Sequence, residues 1–166
     1  MRKLITGTSK SDILDGTSKP DVLKGGGGND RLSGHGDADL LLGGSGNDKL
    51  HGGEGRDILS GGSGKDTFIF RSFETVDRDT IKDFKHADGD RLFLDSSVFD
   101  AVSSGKLAST YFHAGTKAAD ADDHFIYNKK NGGFYYDEDG KGGGSAHLVA
   151  VLANHDGLKA SDIYLF

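Results

Sequence analysis

Seven aspartates fall on every ninth residue: Asp12, Asp21, Asp30, Asp39, Asp48, Asp57 and Asp66. An ionised aspartate only accepts hydrogen bonds, and its short side chain favours turns over helices. Carboxylates brought into a file repel one another unless a cation sits among them. Ca2+ suits that role, because it takes roughly 6–8 oxygens at about 2.3–2.6 Å and tolerates irregular geometry. The whole chain leans the same way, since its 26 acidic residues divide into 23 Asp and only 3 Glu.

What must position these carboxylates is a nine-residue unit. From Gly7 to Ile69 the chain divides without insertion into GTSKSDILD, GTSKPDVLK, GGGGNDRLS, GHGDADLLL, GGSGNDKLH, GGEGRDILS and GGSGKDTFI. Position one is always Gly and position six always Asp. Position eight is Leu14, Leu23, Leu32, Leu41, Leu50, Leu59 and Phe68. Six polar, Gly-rich residues form a turn, and the three around the apolar position form a short strand. One inward Leu per unit suits a thin core between two stacked sheets, a repeat architecture. Each strand returns on the opposite face, so two units make one 18-residue coil.

The expected fold is therefore all-β, a parallel β-roll over residues 1–70. Like turns then stack every 18 residues and sort the aspartates into two columns: Asp12, Asp30, Asp48 and Asp66 on one side, Asp21, Asp39 and Asp57 on the other. Neighbouring coils lie about 4.8 Å apart, close enough for an ion to bridge two turns. Turn carbonyls complete its shell: Gly25, Gly26, Gly27, Gly28, Gly34, Gly36, Gly43, Gly44, Ser45, Gly46, Gly52, Gly53, Glu54, Gly55, Gly61, Gly62, Ser63 and Gly64. The pairs 30–48, 48–66 and 39–57 have glycine loops on both sides, although His35 and Asp37 replace two of these glycines. The pairs 12–30 and 21–39 each include a loop in which Lys10 or Lys19 stands where Gly is expected.

Composition narrows the alternatives. No apolar stretch approaches the roughly 20 residues of a membrane helix. There is no Cys, hence no disulfide framework and no thiolate metal site. The formal net charge of −6 argues against a nucleic-acid partner. None of the seven His forms H-E-x-x-H, and Gly64-Lys65 is followed by Asp66 rather than the hydroxyl residue of a phosphate loop. No catalytic residue is expected.

GGSGNDKLH and GGEGRDILS match at every position the repeats-in-toxin (hemolysin-type) nonapeptide G-G-x-G-x-D-x-(apolar)-x, and the region as a whole resembles that family. The resemblance implies a calcium-loaded parallel β-roll. It continues into DTIKDF and DGDRLFLD, which are similar to the segment after the repeats in calcium-binding secreted proteins; there it implies Asp79 and Asp83 as ligands of the last ion. ADADDHFIYNKKNGGFYYDEDGKGGG resembles the same family's tail hairpin. Asp162-Ile163-Tyr164-Leu165-Phe166 is similar to the uncleaved C-terminal signals of type I secretion substrates. The resemblance thus implies a secreted, extracellular bacterial protein without a cleaved N-terminal signal, with the type I secretion machinery as a partner.

After Ile69 the nine-residue period stops. Short apolar runs at 67–70, 80–84, 91–94, 125–127, 134–136, 147–152 and 163–166 read as strands, with one or two short helices in 97–112. FIYNKKNGGFYY reads as a hairpin with Asn131-Gly132 near its turn. Residues 71–166 are expected to form a β-rich cap over the open end of the roll. Asp120, Asp122 and Asp123 read as a solvated acidic loop, Asp137-x-Asp139-Gly140 as a turn, and Tyr127, Tyr135 and Tyr136 as core or cross-strand residues rather than a sugar-stacking surface. The expected function is non-catalytic binding of three to five Ca2+ ions coupled to folding. The alternative is a carbohydrate-binding or targeting appendage of a secreted protease, lipase or polysaccharide-modifying enzyme, with a polysaccharide or cell-surface glycan as partner.

Overall fold

The computed structural model describes residues 2–73, 78–142 and 144–166. Its strands in chain order are β1 (Lys3–Thr6), β2 (Ile13–Asp15), β3 (Asp21–Gly27), β4 (Arg31–His35), β5 (Leu40–Ser45), β6 (Lys49–Gly53), β7 (Ile58–Ser63), β8 (Thr67–Phe70), β9 (Asp79–Ile81), β10 (Arg91–Leu94), β11 (Gly105–Lys106), β12 (Phe112–Ala114), β13 (Phe125–Asn128), β14 (Gly133–Tyr136), β15 (His147–Leu152) and β16 (Ile163–Leu165). Odd and even strands of the repeat region separate into two parallel sheets. The first runs β1-β3-β5-β7-β9-β15-β14-β13-β12, and the second β11-β16-β10-β8-β6-β4-β2.

The pairing register is the 18-residue coil. Val22 faces Leu40 and Leu40 faces Ile58 in the first sheet, while Leu14 faces Leu32 and Leu32 faces Leu50 in the second. The apolar position of each unit consequently stacks into two inward files. One is Ile5, Leu23, Leu41, Leu59, Ile81 and Leu152, and the other is Leu14, Leu32, Leu50, Phe68, Leu92 and Ile163. Every member from Leu23 and Leu32 onward is fully buried, and each such side chain contributes about 1.5–3 kcal/mol.

Both files run past the end of the repeats without a break. Residues beyond 70 add strands to both sheets rather than sitting across them: β9 pairs with β7 and β15 pairs with β9, while β10 pairs with β8 and β16 with β10. The repeat core and the later aromatic residues Phe84, Phe99, Phe125, Phe134 and Tyr136 form one hydrophobic cluster. The hairpin is present, with Phe125 facing Tyr136 and Asn128 facing Gly133; Gly132 in its turn has φ 72°. Between 97 and 112, where one or two short helices are expected from the sequence, the backbone forms turns, the two-residue strand β11 and a single 3-10 helix, Ser109–Tyr111. Tyr127 and Tyr136 are buried in the core. Asp123 corrects the reading of a solvated loop: it is buried, accepts from the Ala119 and Asp120 amides at 2.8 and 3.2 Å, and lies 3.4 Å from His113 Nδ1.

Candidate calcium columns

The turn before each repeat strand ends in its aspartate, and the 18-residue register stacks these turns into the two expected columns. The carboxylates do not face each other across a gap. From Asp30 and Asp39 onward, one oxygen of each makes a rung to the main chain of the preceding coil. Asp12, Asp30 and Asp48 N–H donate to Oδ1 of Asp30, Asp48 and Asp66 at 2.8, 2.8 and 2.9 Å. In the second column Asp21, Asp39 and Asp57 N–H donate to Oδ1 of Asp39, Asp57 and Asp79 at 2.7, 2.8 and 3.0 Å. Asp79 therefore closes the second column.

Asp90 closes the first, accepting the Asp66 amide at 2.9 Å. Sequence reasoning missed it, because it lies 24 rather than 18 residues beyond Asp66. The trace was there: Asp90-Arg91-Leu92 repeats Asp30-Arg31-Leu32. Asp83 stands beside the last glycine loop and joins neither ladder. It accepts the Gly61 and Gly62 amides at 3.0 Å each and the Ser60 hydroxyl at 2.6 Å.

The second carboxylate oxygen distinguishes one coil from another. At the start, Asp12 Oδ2 accepts from Thr8 N and Oγ1 at 2.7 and 2.8 Å, and Asp21 Oδ2 from Thr17 N and Oγ1 at 2.6 and 2.8 Å. At the end, Asp90 Oδ2 accepts the Lys85 amide at 2.8 Å. Between these ends, Oδ2 of Asp30, Asp39, Asp48 and Asp66 is buried and has no hydrogen-bond partner, and at the start of the second column Asp21 Oδ1 has none either. A buried carboxylate oxygen left without a donor is costly, so these positions call for a ligand of positive charge.

The space around them has the matching shape. A Cβ built on Gly25, Gly34 or Gly43 would collide with Oδ2 of Asp30, Asp39 or Asp48 in its own unit and crowd the carbonyl of Gly43, Gly52 or Gly61 in the next coil. Glycine at position one thus keeps carboxylate and carbonyl oxygens together in one cradle. Position two has a different constraint. Gly44 has φ 116°, and a Cβ there would strike the Gly26 carbonyl oxygen; only Gly takes that conformation freely. In the GHGDAD turn, His35 and Asp37 occupy the left-handed region at φ 79° and 65°, which Asp and His enter more readily than most residues.

Burial sets the electrostatics. It pushes the Asp39 carboxyl up to about 7, with Asp57, Asp21 and Asp37 adding repulsion. It pushes Asp66 up to about 7 as well, with Asp90, Asp48 and Asp83 contributing. Asp48 and Asp90 are raised for the same reason. Among the described residues no three carboxylate, imidazole or thiol side chains converge as a metal cluster. A cation here would be held by one carboxylate and main-chain carbonyls, a hard, all-oxygen set that fits Ca2+ and not a thiophilic metal.

A family model agrees with this geometry in the repeat region. Residues 6–41 and 34–68 match the RTX calcium-binding nonapeptide repeat (4 copies). No curated protein matches the sequence. Two solved structures resemble the chain over most of its length. The AlgE6R3 subunit of the Azotobacter vinelandii mannuronan C5-epimerase is 25% identical with a TM-score of 0.36, over 95% of this chain and 79% of that one. The AlgE6R2 subunit of the same enzyme is 28% identical with a TM-score of 0.36, over 98% of this chain and 91% of that one. Over residues 6–68 the chain is thus similar to the RTX calcium-binding nonapeptide repeat, in keeping with its nonapeptide period, its 18-residue register and its aspartate columns.

Proposed function

We propose that the chain is a non-catalytic module in which Ca2+ binding drives folding of the roll, with residues 71–166 closing its end. The observation that carries this reading is the set of buried oxygens without donors at Asp30, Asp39, Asp48 and Asp66. They support four ions, one at each, within the expected three to five. Asp12, Asp21, Asp79 and Asp90 end the columns, and Asp83 holds the last loop in place. Carbonyls of the intervening turns supply the other ligands.

Each ion that binds only the folded roll adds about 1.4 kcal/mol when calcium exceeds its dissociation constant tenfold. Four sites then add about 6 kcal/mol, comparable to the whole stability of an ordinary domain. Extracellular calcium modules bind at about 10⁻⁴–10⁻³ M, so such a roll is unfolded in a low-calcium cytosol and folded outside the cell. This supports an extracellular protein exported by the type I route. In the fold the proposed export signal is consumed: β16 lies between β10 and β11, and Asp162 bonds to His86 Nδ1 at 2.8 Å. Ile163 and Leu165 of that segment are buried in the fold and become accessible only in the unfolded chain. Far-ultraviolet circular dichroism tests the reading. Chelation abolishes the β-sheet spectrum and millimolar Ca2+ restores it; an unchanged spectrum under chelation contradicts it.

The second reading, a glycan-binding appendage, is favoured by one feature, the exposed cations Arg31 and Lys49, which face each other in register on the second sheet.

A further inference from the structure

Position seven of the unit points outward in both sheets, so the roll itself does not specify its residue, yet the two sheets differ there. In the second sheet it is Ile13, Arg31, Lys49 and Thr67, and in the first it is Val22, Leu40 and Ile58. The register extends the first sheet's set in both directions into one stripe on its outer face: Leu4, Val22, Leu40, Ile58, Thr80 and Val151. Leu4 is 62% and Ile58 39% exposed, while Val22, Leu40 and Val151 are half-buried. Leu42, opposite Lys24 in the neighbouring row, widens the stripe. From β1 to β15 the stripe runs about 24 Å. A contiguous aliphatic surface of this kind marks an interaction site, unlike apolar residues exposed singly.

The borders of the stripe are cationic. Residues two apart along a strand share a face, so Lys24 and Lys82 stand beside Val22 and Thr80. Arg2, Arg56 and Arg78 stand two residues before Leu4, Ile58 and Thr80, at the opposite border. All of these cations are exposed, and among the described residues none of them pairs with a carboxylate. The positions between them on the two borders are Thr6, Leu42, Ser60, Pro20 and Ala38. Stripe and borders thus hold no acidic residue, in a chain where 26 acidic residues outnumber 20 basic ones. Four divalent ions in the columns more than offset the formal net charge of −6, so the loaded roll no longer repels an anionic surface.

We propose that the outer face of the first sheet rests on an anionic lipid bilayer, lying on its surface without spanning it. Leu4, Val22, Leu40 and Ile58 enter the boundary between headgroups and acyl chains, and the cations on both borders meet lipid phosphates. Lys and Arg suit that level, because their stems lie along apolar surface while the charge stays in water. A fluid bilayer conforms to a flat sheet and supplies anions on both sides of an apolar strip, as two cationic borders require. A second copy of the chain is the poorer fit, because stacking the face on itself brings its cations together. A protein partner is also poorer, because the stripe from Leu4 to Val151 lacks the aromatic residues that dominate protein hot spots. The proposal rests on the reading of a calcium-loaded roll.

The test is flotation of the calcium-loaded full chain with vesicles of one part phosphatidylglycerol to two parts phosphatidylcholine, and with vesicles of phosphatidylcholine alone. The chain floats with the first and not with the second, and added salt lowers the bound fraction. K24E/K82E weakens partitioning about tenfold or more, and L4S/I58S weakens it several-fold. K10E/K106E makes the same change of charge in a turn of the other aspartate column and in the second sheet, and leaves partitioning near that of the wild type. Absence of flotation with the anionic vesicles overturns the proposal, as do equal losses in K24E/K82E and K10E/K106E, or undiminished partitioning by L4S/I58S. A calcium-dependent dimer in sedimentation equilibrium that L4S/I58S dissolves also overturns it and gives the face to a second copy. Circular dichroism on the same samples separates the two levels of the account: a normal calcium-induced spectrum without flotation overturns the surface alone, whereas loss of that spectrum overturns the roll and the surface with it.

Discussion

Replacing Asp48 by Asn separates a cation ligand from a structural acceptor. The side chain keeps its shape, and its Oδ1 still accepts the Asp30 amide, a rung of 2.8 Å in the present structure. What is lost is the negative charge and the second oxygen, which is buried without a donor. Asp90→Asn is the matched control, because Asp90 also makes a rung but its Oδ2 is already taken by the Lys85 amide. A site filled at a hundredfold excess over its dissociation constant contributes about 2.7 kcal/mol. Spread over three remaining ions, that loss raises the calcium concentration at the folding midpoint about fivefold. In saturating calcium it lowers Tm by roughly 5–11 °C for a domain of this size. Calorimetric titration reads the ion count and circular dichroism reads the midpoint. D48N binds at least one ion fewer than the wild type, and D90N binds the same number even if it melts earlier. Equal ion counts and midpoints in D48N and the wild type would refute the reasoning and leave Asp48 a hydrogen-bond acceptor only.

Three further outcomes follow from the same geometry. Gly44→Ala must hold φ near 116° with its Cβ against the Gly26 carbonyl and loses at least about 2 kcal/mol, whereas Gly36→Ala, with no neighbour nearer than 3.6 Å, melts within a degree or two of the wild type in calcium. Asp83→Asn weakens a three-donor clasp on Ser60, Gly61 and Gly62 by about 1.5–3 kcal/mol and leaves the ion count unchanged, as read by calorimetry. Asp39 and Asp66 have folded-state pKa values raised to about 7 from 3.8, so without calcium the fold holds protons that the unfolded chain has released. Their contribution to metal-free stability is full below about pH 4 and is lost as pH rises through about 7. Calcium must displace those protons, so its apparent affinity is weaker at pH 5.5 than at pH 8, and titration in buffers of different ionisation heat shows proton release at pH 6.

The repeat half was largely legible because its information is local and periodic. Gly at position one, Asp at position six and Leu at position eight dictate a coil length, and the coil length dictates the register, from Val22 against Leu40 to Leu32 against Leu50. The use of the carboxylates was less legible. Nothing in the spacing says that Oδ1 would be committed to the amide 18 residues earlier, nor that Thr8 and Thr17 would donate to Oδ2 of the first two aspartates. The later half depends on contacts between distant residues. Ala150 pairs with Asp79 and Leu92 with Ile163, and no short-range pattern encodes either. Asp90 and Asp123 became buried through such contacts, which is why one was overlooked and the other read as solvent-exposed.

Crystals grown with calcium, and the anomalous difference map calculated from them, address the central claim most directly. The account predicts anomalous peaks beside Oδ2 of Asp30, Asp39, Asp48 and Asp66, each also within reach of turn carbonyls, and none beside Oδ2 of Asp12 or Asp90. A map with no peak at the interior aspartates, or with peaks only at the column ends, would contradict it.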